Sequence, residues 1–135
     1  MINHEIKVII ADDLRSTRRA LRAVLAFEPR ILILGESDNG EDAIQLVGEK
    51  QPDLVLMDVH MPVLDGIKAT QIIKSTWPEV KVVVYTVFPG YQEAAYRAGA
   101  DYFLIKGCPG TTPTQIILSF FPLKDNVSPN HPFQD

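Results

Sequence analysis

The feature that most constrains this chain is the alternation of short apolar runs with segments of helical periodicity. Five apolar runs are too short for helices, so we predict buried strands at residues 7–11, 31–34, 54–57, 82–85 and 102–105. Between these runs, apolar residues recur at helical spacing, and a proline or glycine ends each segment. This alternation predicts an α/β protein in which helices cover both faces of a parallel sheet.

Five strand–helix units in 135 residues are the size of one domain. We predict a doubly wound, flavodoxin-like (βα)5 fold with a five-stranded parallel sheet in the order 2-1-3-4-5, rather than the six-stranded dinucleotide-binding order. The domain is expected to span residues 1–121. Residues 122–135 are expected to form a polar, proline-containing tail or the start of a linker.

Local signals mark two helix starts and one helix face. Asp65 is placed to cap the third helix. Thr112, Pro113 and Gln115 spell a capping box with proline at the first helical position of the fifth helix. The apolar face of the first helix is assigned to Leu14, Leu21, Val24 and Leu25.

Composition argues against several classes of protein. The net charge of −4 disfavours direct contact with nucleic acid. A single cysteine, Cys108, excludes an internal disulfide framework and suits a reducing compartment. The sequence has no signal region and no apolar run long enough to span a membrane. We therefore expect a cytoplasmic protein without membrane contact.

Polar residues follow four of the predicted strands. Asp12 and Asp13 follow the first strand, Asp58 the third, Thr86 the fourth and Lys106 the fifth. In an open α/β sheet, ligands bind outside the carboxyl ends of the strands where the strand order reverses, so these side chains are expected to converge. Each close carboxylate pair costs roughly 4 kcal/mol at an effective dielectric constant near 20. Either a proton or a hard cation must offset that repulsion, and oxygen ligands suit Mg²⁺.

A lysine and a hydroxyl beside such a site suit an incoming phosphoryl group. The cation and Lys106 would offset its charge, and Thr86 would donate a hydrogen bond. The nucleophile would be a carboxylate, which gives an aspartyl phosphate. Asp58 is the natural candidate, because Asp12 and Asp13 are then free to hold the metal.

At these residues the sequence resembles the response-regulator receiver domain of two-component signalling. The adjacent Asp12 and Asp13 are similar to its acidic pair, and residues 58–66 to its phosphoacceptor motif. Thr86 matches the switch hydroxyl, and residues 98–106 match the lysine motif. Residues 35–44 resemble the NarL/FixJ-type branch, and the whole resemblance covers about residues 5 to 121.

The resemblance implies a donor and a metal site. A histidine kinase or phosphotransfer protein would offer a phosphohistidine, and Asp58 would accept its phosphoryl group. Mg²⁺ would be held by Asp13, Asp58 and the backbone carbonyl of His60, and by Asp12 through water. The chain would be a signalling module rather than an enzyme, with only self-catalysed phosphotransfer and autodephosphorylation.

The resemblance also implies a switch. Thr86 and Lys106 would contact the phosphoryl oxygens, and movement of Thr86 would couple to Phe103, the family's aromatic switch position. The output would be a repacked face of the fourth helix, fifth strand and fifth helix that contacts a downstream protein target.

Three features depart from the family pattern. The interval from Thr86 to Lys106 is about two residues short, which trims the fourth helix or the preceding residues 87–92. Val87 and Phe88 are bulky where the family usually has a small residue, and would narrow access to Asp58. Residues 107–123 carry no charge. We expect Ile116, Ile117, Phe120 and Phe121 to form an apolar contact stripe there. Such a stripe would allow the chain to form a homodimer through the output face.

A basic stripe on the first helix has two interpretations. Arg15, Arg18, Arg19 and Arg22 lie beside its apolar face. Such a stripe is usually a solvated surface. It would alternatively dock a kinase partner, since the stripe starts beside Asp13 and the first helix contacts the kinase in family members.

Three alternatives remain open at this point. The first is a degenerate receiver that acts only as a phosphorylation-independent interaction module. The second is the excised N-terminal domain of a DNA-binding transcription regulator rather than a single-domain regulator. The third is an aspartyl-nucleophile phosphatase, although the adjacent Asp12 and Asp13 lack the D-x-D spacing of that chemistry.

Overall fold

The computed structural model describes residues 5–123, and its centre is one sheet of five parallel strands. The strands are β1 (Ile6–Ala11), β2 (Ile31–Ser37), β3 (Leu54–Met57), β4 (Lys81–Thr86) and β5 (Tyr102–Ile105). Their order across the sheet is β2-β1-β3-β4-β5. The predicted fold class and strand order are confirmed.

Five helices connect the strands. They are α1 (Arg15–Leu25), α2 (Gly40–Lys50), α3 (Gly66–Thr76), α4 (Gln92–Arg97) and α5 (Pro113–Phe120), and a short 3-10 turn, Pro89–Tyr91, precedes α4. Asp65 caps α3 by accepting a hydrogen bond from the Lys68 N–H at 2.9 Å. Thr112 and Gln115 form the predicted reciprocal capping box at the start of α5. Within residues 5–123, no helix combines the length and apolar character needed to cross a membrane.

Two apolar clusters pack on opposite faces of the sheet. Ile9 and the helices α2 and α3, through Val47 and Ile73, belong to one cluster. Ile10 and the helix α1, through Leu25, belong to the other, which α5 also covers. Neighbouring strand residues point to opposite faces, so β1 is buried on both sides. This double burial explains why the strands are apolar throughout rather than alternating.

The structure corrects the predicted extent of β2 and the predicted face of α1. β2 continues to Ser37, because its last three residues pair in register with Ile9, Ile10 and Ala11. On α1, only Leu21 and Leu25 are buried, whereas Leu14 and Val24 are 56% and 47% exposed. Leu14 precedes the first turn as its N-cap residue and does not share the buried face.

The apolar stripe of α5 is also corrected. Ile116 and Ile117 are buried, and Phe120 and Phe121 are half-buried against the same cluster. These side chains are the core-facing side of the helix, so they do not form the exposed contact stripe expected from the sequence. Of the predicted tail, residues 124–135 lie outside the described residues.

A polar network fixes the amino ends of β4 and β5. The Lys74 ammonium donates to the carbonyls of Pro78 and Val80 at 2.9 and 2.8 Å, and to the Asp101 carboxylate at 2.9 Å. Asp101 also accepts a hydrogen bond from the Val82 N–H at 2.9 Å. This Lys74–Asp101 network ties the end of α3 to the amino ends of both strands. Asp12, Asp13 and Asp58 lie at the opposite, carboxyl ends of the strands.

Candidate functional site

Three aspartates meet at the carboxyl ends of β1 and β3. One carboxylate oxygen from each of Asp12, Asp13 and Asp58 lies within 4.8 Å of the others. β1 and β3 are neighbouring strands, and the Asp58 N–H donates to the Ala11 carbonyl at 2.9 Å. The sheet topology therefore brings together the acidic residues that the sequence placed after these strands.

Asp12 is the most firmly held member of this cluster. It is buried, and its backbone N–H donates to the Ser37 carbonyl at 3.0 Å. One carboxylate oxygen accepts from the Leu14 N–H at 2.9 Å and the other from the Lys106 ammonium at 2.6 Å. With both oxygens hydrogen-bonded, the Asp12 carboxylate is held in a fixed orientation within the cluster.

Lys106 bridges the carboxylates of β1 and β3. Its ammonium lies 2.6 Å from Asp12 and 3.3 Å from Asp58, and only 15% of its side chain is exposed. The ammonium also lies 5.6 Å from the centre of the Tyr85 ring, close enough for a cation–π contact. Its backbone N–H donates to the Thr86 carbonyl at 2.8 Å, which fixes the lysine beside the end of β4.

The electrostatics of the site leave it short of positive charge. Burial raises the pKa of Asp58, Lys106 opposes this rise, and the charge of Asp12 adds to it. Burial disfavours the Lys106 ammonium, but its hydrogen bond to Asp12 and the charge of Asp58 outweigh burial and raise the pKa of Lys106. When all three carboxylates are ionised, one ammonium leaves two negative charges unbalanced.

The donor atoms fit a hard divalent cation. The cluster offers carboxylate oxygens and, within residues 5–123, no imidazole or thiol joins it. Such an oxygen-only set suits Mg²⁺, which is bound by one or two carboxylates and keeps several waters. The two unbalanced negative charges match the charge of that ion.

The loop after β3 is folded tightly against Asp58. A Cβ atom at Gly66 would lie 1.7 Å from the Asp58 carbonyl oxygen, so only glycine fits there. The Gly66 N–H donates to the Val59 carbonyl at 2.8 Å, and the Val59 N–H donates to the Asp58 carboxylate at 2.8 Å. Gly66 thus allows α3 to start close to Asp58, whose carboxylate is oriented by the Val59 N–H.

Thr86 and Phe103 are both buried near the site. The Thr86 hydroxyl accepts a hydrogen bond from the Phe88 N–H at 3.3 Å. Phe103 is 8% exposed and packs in the cluster that contains Ile9, while its backbone N–H donates to the Tyr96 hydroxyl at 3.0 Å. The predicted switch residues are therefore both buried, Thr86 as the last residue of β4 and Phe103 within β5.

His60 contributes its ring to an aromatic cluster rather than to the carboxylate group. The exposed imidazole packs edge-on against Phe88 and Tyr91, with ring centres 4.6 and 5.1 Å away. This contact joins the loop after β3 to the segment before α4. The expected metal contact of the His60 backbone carbonyl stays a prediction.

The arginine stripe on α1 divides into two pairs. Arg18 donates to the Asp12 carbonyl at 2.7 Å and to Glu36 at 2.9 Å, and Arg22 also pairs with Glu36. Arg15 and Arg19 are exposed and make no ion pair within the described part of the chain. Sequence reasoning missed the inward contact of Arg18, and the only signal for it was an acidic residue at the end of β2.

Comparison with known proteins gives consistent relatives. Residues 8–117 match the family described as the response regulator receiver domain. The response regulator GacA of Pseudomonas aeruginosa is 35% identical over 126 residues, which cover 92% of this chain and 59% of GacA. The response regulator protein VraR of Staphylococcus epidermidis is 39% identical over 104 residues, covering 75% of this chain and 49% of VraR. The chain thus spans about half the length of the curated relatives it matches.

Solved structures share the fold. The signal receiver domain of the response regulator NarL from Mycobacterium tuberculosis superposes with a TM-score of 0.80 at 25% sequence identity. The superposition covers 87% of this chain and 96% of that domain. This chain therefore shares the five-stranded architecture of that signal receiver domain.

Proposed function

Since this chain belongs to the response regulator receiver domain family of two-component signalling, we propose that it accepts a phosphoryl group on Asp58. The donor is the phosphohistidine of a histidine kinase or phosphotransfer protein, and the transfer requires Mg²⁺. The observation that carries this proposal is the cluster of three carboxylates bridged by Lys106.

The hydrogen bonds favour Asp58 over Asp12 as the nucleophile. Both oxygens of Asp12 accept hydrogen bonds shorter than 3 Å. In Asp58, one oxygen accepts from the Val59 N–H at 2.8 Å, but the other meets Lys106 only at 3.3 Å. That second oxygen is the less restrained one, so it is the oxygen best placed to attack phosphorus.

The transfer breaks the P–N bond of the phosphohistidine and forms an acyl phosphate on Asp58. Bound Mg²⁺, held by Asp13 and Asp58, the His60 carbonyl and Asp12 through water, would offset the charge of the phosphoryl oxygens. Lys106 remains beside the acceptor oxygen and stabilises the same charge. Asp12 keeps Lys106 in place throughout.

Phosphorylation would then draw the Thr86 hydroxyl toward the new phosphoryl oxygens. Movement of the hydroxyl toward those oxygens would alter the hydrogen bond that it accepts from the Phe88 N–H. Phe103, a buried residue of β5, would follow that shift, and the face of α4, β5 and α5 would repack. This face would contact the downstream protein target or a second copy of the chain.

The test is incubation with Mg²⁺ and acetyl phosphate, followed by intact mass measurement. We expect an increase by the mass of one phosphoryl group, lost in Asp58→Asn and without Mg²⁺. Asp65→Asn is the matched control, because asparagine caps a helix as well as aspartate does. No adduct on the wild-type protein would favour a phosphorylation-independent receiver instead, and an adduct that survives in Asp58→Asn would show that Asp58 is not the acceptor.

We assign docking of the phosphodonor protein to the basic stripe of α1. Glu36 forms ion pairs with Arg18 and Arg22, so the exposed charges that the stripe offers to a partner are those of Arg15 and Arg19. In the double variant Arg15→Glu/Arg19→Glu, transfer from a phosphorylated phosphotransfer domain should slow by about tenfold relative to transfer from acetyl phosphate. Equal rates from both donors, relative to the wild type, would show that the stripe is only a solvated face.

A further inference from the structure

Arg18 is a largely buried arginine whose contacts converge on the backbone of the acidic pair. Its side chain is 16% exposed. Nη1 donates to the Asp12 carbonyl at 2.7 Å, and Nε donates to the Glu36 carboxylate at 2.9 Å. The guanidinium therefore links Glu36 of β2 to the backbone of Asp12, the residue that follows β1.

The Asp12 carbonyl belongs to the same rigid peptide unit as the Asp13 nitrogen. The bond from Arg18 fixes the orientation of this unit, while the preceding unit is fixed by the bond from the Asp12 N–H to Ser37 at 3.0 Å. Asp13 is exposed, and within residues 5–123 its carboxylate accepts no hydrogen bond. Its direction thus depends on the backbone that Arg18 holds.

A purely electrostatic role for Arg18 would act in the opposite direction. A cation beside the cluster repels a divalent metal ion, so its removal alone would strengthen metal binding. Glu36 offsets only part of this charge because it pairs with Arg22 as well, and hydrogen bonds from Arg22 and Arg18 hold the pKa of Glu36 below its usual range. The sign of the effect on metal affinity therefore separates the two roles.

We propose that Arg18 is a positioning residue of the metal site: through the Asp12 carbonyl, it fixes the direction in which Asp13 presents its carboxylate. This inference rests on the proposed function, because it concerns the same Mg²⁺ site. Arg18 touches neither the metal nor the phosphoryl group in this role. Groups that orient metal ligands in this way typically contribute about 10- to 100-fold to metal affinity.

The test is Arg18→Met, which keeps much of the side-chain length but removes the donors and the charge. Calorimetric titration of the unphosphorylated protein with Mg²⁺ should show binding at least about tenfold weaker than in the wild type. Lys68→Met is the matched control, since it removes one exposed positive charge from the first turn of α3. Its Mg²⁺ affinity should stay within about twofold of the wild type, as expected for a screened surface charge.

Kinetics distinguish positioning from a general loss of structure. With acetyl phosphate, Arg18→Met should need more Mg²⁺ for half-maximal phosphorylation yet approach the wild-type rate at saturation. Unchanged or tighter Mg²⁺ binding in Arg18→Met would overturn the inference. A wild-type protein that takes up no phosphoryl group would instead overturn the proposed function.

If Arg18→Met does not fold, Arg18→Lys decides the matter. Lysine keeps the charge but lacks the planar pair of donors that reaches Asp12 and Glu36 together. Weaker Mg²⁺ binding at an unchanged melting temperature would support the inference, and wild-type Mg²⁺ affinity would contradict it.

Discussion

At the residue scale, Asp58 holds its charge in a place that favours the protonated form. Its folded-state pKa is raised above the ordinary aspartate value of 3.8, chiefly by burial. The unfolded chain therefore releases this proton at lower pH than the folded protein does. The stability that the protonated carboxyl contributes is fully present below about pH 3.8 and is lost as pH rises through the raised pKa.

We accordingly predict that Asp58→Asn stabilises the metal-free protein at neutral pH. The gain follows from the raised pKa of the Asp58 carboxyl, because asparagine carries no charge that burial disfavours, and it should appear as a higher melting temperature. The gain should shrink as the pH falls toward 3.8, and Mg²⁺ should reduce it by stabilising only the wild type. Thermal denaturation across pH measures it, with Asp65→Asn as the control. A gain that does not depend on pH would contradict the stated cause.

The sequence predicted the acidic cluster well but not the groups that support it. Asp12, Asp13 and Asp58 follow strands that local patterns identify, and topology alone brings such positions together. The contact of Arg18 with Glu36 joins residues 18 positions apart and depends on how α1 packs beside β2. Such a contact has no periodic signal, so an inward arginine and an exposed one look alike in sequence.

At the scale of elements, the loop after β3 depends on one glycine. In Gly66→Ala, the new methyl group would lie 1.7 Å from the Asp58 carbonyl oxygen. This oxygen belongs to the backbone, so it cannot move aside as a flexible side chain could. We predict a loss of about 3 kcal/mol or more in urea unfolding, since backbone must move to relieve the overlap. Gly90→Ala is the control, because nothing lies within 4 Å of its Cβ position. Equal stability of the two variants would refute this account of the loop.

Element boundaries were predictable where a local signal fixes them. The capping box of Thr112 and Gln115 marked the start of α5 correctly. The last residues of β2 were missed because they are polar and join the sheet only through long-range pairing with β1. The apolar side of α5 was misread as a contact surface, since composition does not say which side of a helix faces the sheet.

At the scale of the whole molecule, one sheet couples two separate apolar clusters. Leu25 belongs to the cluster under α1 and α5, whereas the only tryptophan, Trp77, packs against the opposite cluster. A domain of this size is expected to unfold in one cooperative step. A destabilising substitution on one face of the sheet should therefore shift the unfolding transition that a probe on the other face reports.

We predict that Leu25→Ala lowers the free energy of unfolding by about 2–5 kcal/mol, because Leu25 is fully buried. Trp77 fluorescence and far-ultraviolet circular dichroism should report the same shifted transition. Val24→Ala, at the neighbouring exposed position, should cost well under half as much. Two separate transitions in Leu25→Ala would show that the faces unfold independently.

The Lys74–Asp101 network makes the two ends of the sheet mechanically unequal. Three hydrogen bonds from one ammonium anchor the amino ends of β4 and β5, whereas Thr86 and Lys106 stand at their opposite ends. A displacement that begins at those opposite ends would therefore meet its strongest restraint at these amino ends. If phosphorylation moves Thr86 as proposed, the anchored amino ends would oppose lengthwise sliding of the strands, and the movement of one hydroxyl would become a change in the angle of a surface.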